Sequence, residues 1–242
     1  ISLMAELKSF DNFHKNAERI YRVDNLLQGI DRTSYKYATT SVLTGKRLKE
    51  SVPGIEQVVT MRRGFHKDIQ YKEKIIPLRG FWADASFFHV FSFTLISGNA
   101  ATALQEPNSI VLTASSALKL FNDVDATGKL VQVDTTEYMV TGVVEDPPLN
   151  SHMKFDALGS FVTLDGPQVS QQDRNWLKWD NMWDNYVYIL LPKKGDLNNI
   201  ERSIAGISSE ENKTIENSQI SLYLEPLREI ALSRNMSNSI GP

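Results

Sequence analysis

The stretch from Gly80 to Thr113 constrains the fold more than any other part of this sequence, because it concentrates large apolar side chains. Between positions 81 and 93 these are Phe81, Trp82, Phe87, Phe88, Val90, Phe91 and Phe93. The spacing predicts a short helix over residues 85–91, with Phe87, Phe88 and Phe91 on one buried face. A run this rich in aromatics is typical of a core. We therefore expect this stretch to form part of a hydrophobic core rather than to stack on a ligand.

The composition narrows the class of protein. The chain has 242 residues, of which 41% are hydrophobic and 23% charged, as in an ordinary globular domain or pair of domains. Its net charge is −3, and no block of five like charges occurs. Phosphate binding needs a concentrated basic face, so nucleic acid is excluded as an expected partner.

Cysteine is absent, which excludes thiol catalysis, disulfides and thiolate metal sites. No apolar run approaches the roughly 18 residues that a membrane-spanning helix needs, and no signal peptide is recognisable. The sequence starts without methionine and stops at Gly241-Pro242. From these ends we expect a domain excised from a longer protein.

The order of predicted elements indicates an α+β fold with a discontinuous domain. Near the start, the pattern predicts a helix over 9–21, a strand over 19–27, a helix over 37–52, a strand over 55–62 and a hairpin across Lys72-Glu73. The middle predicts strands at 109–112, 129–133, 137–144 and 154–161, with a helix over 114–121 that Thr113 caps. The end predicts a strand at 186–191, a helix at 197–207 that Asp196 caps, and a strand at 220–224. Two βαβ-like units thus flank one mostly β insert, and we expect the outer units to share a sheet.

The sequence offers little chemistry. The histidines, His14, His66, His89 and His152, show no metal-binding spacing, and no phosphate loop, dinucleotide fingerprint or nucleophile elbow occurs. No cofactor and no metal are therefore expected. Asp180 and Asp184 would suit the paired carboxylates of a glycosidase, but solvated loop charges are the commoner explanation.

A tryptophan-rich tract supplies the candidate contact site. Trp176, Trp179 and Trp183, with Met182, lie in a polar stretch, and the tryptophans match one helical face. One interpretation is an amphipathic helix docked on the insert. The other is an exposed aromatic patch for a partner or an apolar ligand. Burial is the commoner fate of such residues, yet all four remain candidates for contact.

Several segments resemble, in order and spacing, the MacB-like periplasmic core domain of FtsX-like ABC transporter permeases, especially those of Bacteroidetes type. The segments are FDNFHKNAERIYRV at 10–23, the stretch 80–113, the Gly128-Lys129 turn, TGVVEDPP at 141–148 and SHMKFD at 151–156. The resemblance covers nearly the whole chain. It implies a porter subdomain at 1–80 and 186–242, with an inserted sabre subdomain at 81–185.

The resemblance also implies a function. Such a domain lies between the first two membrane helices of an inner-membrane permease, faces the periplasm and has no catalytic residues. It would transmit the motion driven by a cytoplasmic ATPase to a periplasmic substrate or adaptor protein, in a transporter that is a homodimer. The alternatives are the extracytoplasmic sensor domain of a membrane receptor and the carbohydrate hydrolase based on Asp180 and Asp184.

Overall fold

The computed structural model of this chain describes residues 7, 9–166, 172–233 and 236–240. It divides into two compact units: an outer unit of Ile1–Thr60 with Ser170–Pro242, and an inserted unit of Met61–Val169. The corresponding boundaries predicted from the sequence are 80/81 and 185/186. No helix in the described ranges is long and apolar enough to cross a membrane.

The outer unit is a sheet with two helices. Its elements are β1 (Ile20–Gly29), β2 (Ser34–Tyr37), α1 (Val42–Ser51), the start of β3 (Gln57–Tyr71), β10 (Asn185–Leu190), α4 (Leu197–Glu211) and β11 (Ser218–Pro226). β1 pairs antiparallel with β11 along one edge, and with β10 and then β2 along the other. β10 stands between β1 and β3 in the strand order, so the two predicted βαβ-like units interleave within one sheet.

Side-chain caps explain where the helices begin. The Asp196 carboxylate accepts the Asn199 backbone N–H at 3.1 Å and starts α4. The Ser41 hydroxyl plays the same part at α1, where it accepts from the Thr44 N–H. Each cap satisfies a backbone donor that has no partner inside the helix. The predicted cap at Asp196 is confirmed, and α4 extends four residues past its predicted end.

The helix predicted over residues 9–21 is wrong. Turns occupy this segment as far as a short 3-10 turn at Ala17–Arg19, and β1 then begins at Ile20. Asp11 has a positive φ of 58°, a left-handed conformation that interrupts a right-handed helix. Despite its helical spacing of apolar residues, the segment has an irregular backbone, in which Asp11 and His14 are buried.

The inserted unit contains the rest of β3 and eight further elements. They are β4 (Lys74–Ala83), α2 (Phe87–Val90), β5 (Leu95–Gly98), β6 (Ser109–Thr113), α3 (Ala114–Phe121), β7 (Leu130–Val133), β8 (Thr136–Val144) and β9 (Ala157–Ser160). Strand pairing runs β3-β4-β9-β6-β8-β7 and returns to β3, so these six strands close a ring. The mostly β character predicted for the insert is confirmed, as is the α+β class of the chain.

Two glycines permit the close approach of β4 and β9. A Cβ on Gly80 would lie 1.8 Å from the Ala157 carbonyl oxygen, and one on Gly159 would lie 2.7 Å from the Trp82 ring. Neither position has room for a side chain. The parallel pairing of β4 with β9 therefore depends on both glycines.

The aromatic stretch forms the core of the inserted unit, but the predicted face of Phe87, Phe88 and Phe91 is only partly buried. Phe87 is fully buried and stacks on Phe93, with ring centroids 5.7 Å apart, while Phe91 and Phe155 pack around it. Phe88 is only half-buried. The helix has one turn, Phe87–Val90, which is too short to place all the predicted phenylalanines on a single face.

Candidate functional site

The two faces of the outer unit's sheet carry different chemistry, because successive residues of a strand point to opposite faces. The first, which we call the apolar face, carries Val23 and the strand residues that share its side. These pack with α1 and α4 in one cluster that includes Leu48, Val187, Ile189, Ile200, Ile204, Ile220 and Leu222. The apolar face is therefore an ordinary helix-on-sheet core.

The polar face carries a fully buried ion pair on the same strand. Arg22 and Asp24 are two residues apart on β1 and point to the same side. Arg22 Nε donates to Asp24 Oδ1 at 2.5 Å, and Nη2 donates to Oδ2 at 3.0 Å. Neither side chain is exposed to solvent. Buried bidentate pairs of this kind depend on close geometry to offset the cost of removing both charges from water.

The register of the sheet surrounds this pair with further titratable groups. Tyr188 on β10 and Glu225 on β11 are the cross-strand partners of Arg22, and Tyr223 is the partner of Asp24. Burial raises the pKa of Asp24 to about 6, although Arg22 opposes that shift. Burial lowers the pKa of Arg22, but the charge and hydrogen bonds of Asp24 outweigh it, so the net shift is upward. Burial also raises the pKa values of Tyr188 and Tyr223.

Residues 236–240, which we call the strap, lie beside β2 and reach the polar face. The Ser237 N–H donates to the Lys36 carbonyl at 3.0 Å, and the Ala38 N–H donates to the Ser237 carbonyl at 3.1 Å. Tyr37 and Ser237 form a parallel bridge. Because β2 is antiparallel to β1, the strap runs towards the end of the sheet where β1 begins.

Side chains add further ties between the strap and the sheet. Arg22 Nη2 donates to the Met236 sulfur at 3.0 Å. The Tyr186 hydroxyl donates to the Asn238 carbonyl at 2.7 Å. The Asn238 amide donates to the Trp183 carbonyl and to the Thr39 hydroxyl, at 3.1 and 3.3 Å. The buried ion pair and the strap are thus one connected polar network.

Residues 9–19 precede β1 and lie at the end of the sheet where β1 begins. Arg19 donates to Glu56 Oε2 at 2.9 Å and to Asn16 Oδ1 at 2.7 Å, and it also donates to the Leu191 carbonyl. Backbone pairing of Leu191 N–H with the Arg19 carbonyl continues this attachment. Residues 9–19 and the strap therefore both attach to the sheet of the outer unit.

The predicted tryptophan site is mostly interior. Trp176, Trp179 and Met182 are 7%, 3% and 1% exposed, and the last two belong to the cluster of the apolar face. The Trp179 indole N–H donates to Asn212 Oδ1 at 3.0 Å. Trp183 is 42% exposed and contacts Tyr37 edge to face, at 5.3 Å between ring centroids. Of the four candidates, Trp183 has the most surface for a partner, and it adjoins the strap.

The candidate carboxylates and the histidines differ in exposure. Asp180 is exposed and Asp184 half-buried at the end of this same tract. His66 and His89 are exposed, whereas His14 and His152 are buried. Within the described ranges, no group of three histidines and carboxylates is placed to hold a metal ion.

Sequence reasoning missed Arg22, Asp24 and the strap residues Met236 and Asn238. A signal was present, since Arg22 and Asp24 are charged residues two apart inside a predicted strand. Such spacing places both on one face of the sheet. It does not reveal that this face is buried.

A cavity of about 380 Å³ lies between α1 and α4 on the outer unit. Its lining includes Arg47, Ser51, Ser203, Gly206 and Glu211. Arg47 Nε donates to Glu211 Oε1 at 2.5 Å, and Glu210, which also lines the cavity, is paired with Lys213. The groove therefore presents little uncompensated charge to a ligand.

Comparison with known proteins places the chain in a family. The model of the MacB-like periplasmic core domain matches residues 1–207. No curated protein matches the sequence significantly.

Solved structures share the fold at low sequence identity. A domain described as belonging to a permease of Porphyromonas gingivalis is 18% identical, with a TM-score of 0.70 over 88% of this chain and 91% of its own. The periplasmic region of MacB from Actinobacillus actinomycetemcomitans is 15% identical, with a TM-score of 0.55 over 82% of this chain and 87% of its own. The extracellular domain of the noncanonic ABC-type transporter YknZ from Gram-positive bacteria is 15% identical, with a TM-score of 0.53 over 81% of this chain and 98% of its own. By its sequence match, and in agreement with the shared fold, this chain belongs to the family of MacB-like periplasmic core domains, the periplasmic domains of ABC transporter permeases.

Proposed function

We propose that this domain, anchored in the inner membrane as part of a permease, transmits ATP-driven movement of the membrane helices to a substrate or adaptor protein in the periplasm. One observation carries the proposal beyond family membership. Residues 9–19 and the strap attach to the same sheet, the first where β1 begins and the second beside β2. Movement of either flanking segment would therefore act directly on the outer unit.

The partners follow from that role. The ATPase is a cytoplasmic subunit or domain, and the intact transporter is a homodimer that pairs two copies of this domain. The outer unit corresponds to the porter subdomain predicted at 1–80 and 186–242, and the inserted unit to the sabre subdomain predicted at 81–185. We assign the substrate or adaptor contact to the periphery of the domain, with Trp183 as the remaining candidate from the tryptophan tract.

The proposal is tested in the full-length permease, reconstituted with its ATPase. Ile30 is 74% exposed on the outer unit and Leu149 is 93% exposed on the inserted unit, so Ile30→Cys with Leu149→Cys gives two labelling sites in a domain without native cysteine. We expect the distance between spin labels at these positions to change on ATP binding. The matched control is the same pair with a hydrolysis-deficient ATPase, which should stop the cycle of changes.

A distance that ignores nucleotide, in a transporter that still transports, would contradict the proposal. A receptor sensor domain also predicts no response to nucleotide. A second readout fixes the side of the membrane: Leu149→Cys should react in intact cells with a maleimide that enters the periplasm and does not cross the inner membrane.

A further inference from the structure

We infer that the strap, residues 236–240, detaches from the sheet as a unit, and that the buried Arg22–Asp24 pair makes this release reversible. The inference deepens the proposed function, on which its role in motion depends, by naming the element that moves first. It requires no contact between the outer and inserted units, since every residue involved belongs to the outer unit.

The first argument is the kind of attachment. The strap is held through backbone hydrogen bonds with Lys36 and Ala38, and through polar contacts made by Met236 and Asn238. Ser237 and Ser239 are exposed, and Met236, Asn238 and Ile240 are half-buried. Each hydrogen bond that is exchanged for one with water on opening costs little free energy. A strap held in this way opens without first exposing a large apolar surface.

The second argument is the surface beneath it. Met236 contacts the guanidinium of Arg22, whose Nη1 has no hydrogen-bond partner among the described residues. Water admitted by strap release supplies the partner that this buried nitrogen lacks, which offsets part of the cost of opening.

The third argument is the contrast with an apolar alternative. Well-packed hydrophobic residues in place of a buried ion pair are often as stabilising or more so, so Arg22 and Asp24 are poorly explained by stability alone. Apolar residues there would be exposed to water each time the strap lifted. With the ion pair in place, the surface that the open state exposes is polar, and the closed state keeps one defined contact geometry.

Hydrogen exchange of the 242-residue chain tests this without any substitution. The Ala38 N–H donates to the strap, whereas the Thr40 N–H, two residues on, donates to Asn185 on β10 at 2.8 Å and is the internal control. We expect the Ala38 and Ser237 amides to exchange at least tenfold faster than Thr40, with little dependence on denaturant. Equal exchange rates and equal denaturant dependence for Ala38 and Thr40 would overturn the inference that the strap detaches, because both amides would then exchange only on global unfolding.

Two variants separate the parts of the inference. Asn238→Ala removes the side-chain ties to Trp183 and Thr39, and should speed Ala38 exchange about tenfold while Thr40 stays unchanged. Arg22→Met with Asp24→Leu should slow Ala38 exchange about tenfold; an unchanged or faster rate would overturn the role given to the ion pair. Neither measurement involves ATP or a membrane, so a negative result would not contradict the proposed function. In the same way, a distance that does not change with nucleotide would not contradict strap release.

Discussion

The apolar and polar faces of the outer unit's sheet are built from alternate residues of the same strands. Val23 faces α1 and α4, and its neighbours Arg22 and Asp24 face the side that the strap reaches. Burying an aliphatic side chain stabilises a fold by about 1.5–3 kcal/mol, whereas a buried ion pair is often no better than an apolar replacement. The apolar face thus suits a permanent contact, and the polar face suits a contact that opens.

The largest effect on stability is expected from removing only one partner of the ion pair on the polar face. Arg22→Met leaves Asp24 buried without its cation, and should lower the free energy of unfolding by about 3–5 kcal/mol. Denaturant unfolding measures this change. The control is Arg22→Met with Asp24→Leu, which should regain most of the loss because no unpaired charge remains. A double variant as unstable as the single one would mean that the pair itself, rather than the orphaned carboxylate, carries the stability.

A cavity in the apolar face should have a similar or smaller effect. Leu48 on α1 is fully buried in the cluster with Val23 and Ile204. Leu48→Ala should cost about 2–5 kcal/mol, from lost burial and the cavity left behind. Glu50→Ala, at an exposed position of the same helix, should stay within about 0.5 kcal/mol. Equal effects of the two substitutions would show that the apolar face is loosely packed.

The polar face should make its own contribution to the pH dependence of stability, through Asp24. The folded pKa of Asp24, about 6, lies above its ordinary value of 3.8, so the unfolded chain releases this proton first as pH rises. The contribution of Asp24 to the free energy of unfolding should therefore fall across that window, by up to about 3 kcal/mol, and level off above it. The groups facing it are Arg22, Tyr223, Glu225 and Tyr188.

Asp24→Asn isolates this contribution, because asparagine does not titrate. The stability of the native protein minus that of Asp24→Asn, followed by chemical unfolding between pH 3.5 and 7, should decline with pH. A difference that grows with pH would show that Arg22 stabilises the charged carboxylate more than burial opposes it.

The smallest effect is expected where the apolar face meets the edge of the sheet. The Asn212 side chain accepts from Ile220 N–H at 3.0 Å and donates to the Ile220 carbonyl at 2.9 Å, so it occupies the outer edge of β11. Asn212→Ala leaves these groups and the Trp179 indole without their partner, and should cost about 1–3 kcal/mol. Asn198→Ala, exposed on α4, is the matched control, and equal stabilities of the two variants would contradict this role.

Much of the local structure could be predicted. Strand and helix positions followed from apolar spacing, and Asp196 and Thr113 began α4 and α3 as expected because their side chains accept backbone N–H groups. The segment 9–21 failed because Asp11 adopts a left-handed conformation, which hydrophobic spacing does not encode. The tryptophan tract is compatible with two interpretations, since a helical stripe of aromatic residues looks the same in sequence whether a core or a partner covers it.

The sequence by itself determined the class and the family: cysteine-free, weakly acidic, α+β, with family motifs in order along the chain. These properties are local or cumulative along the chain, so they survive without coordinates. Only the tertiary structure decided which neighbours cover each face. Arg22 and Asp24 look like surface charges until β10, β11 and the strap surround them, because their burial depends on residues 166 to 214 positions away along the chain.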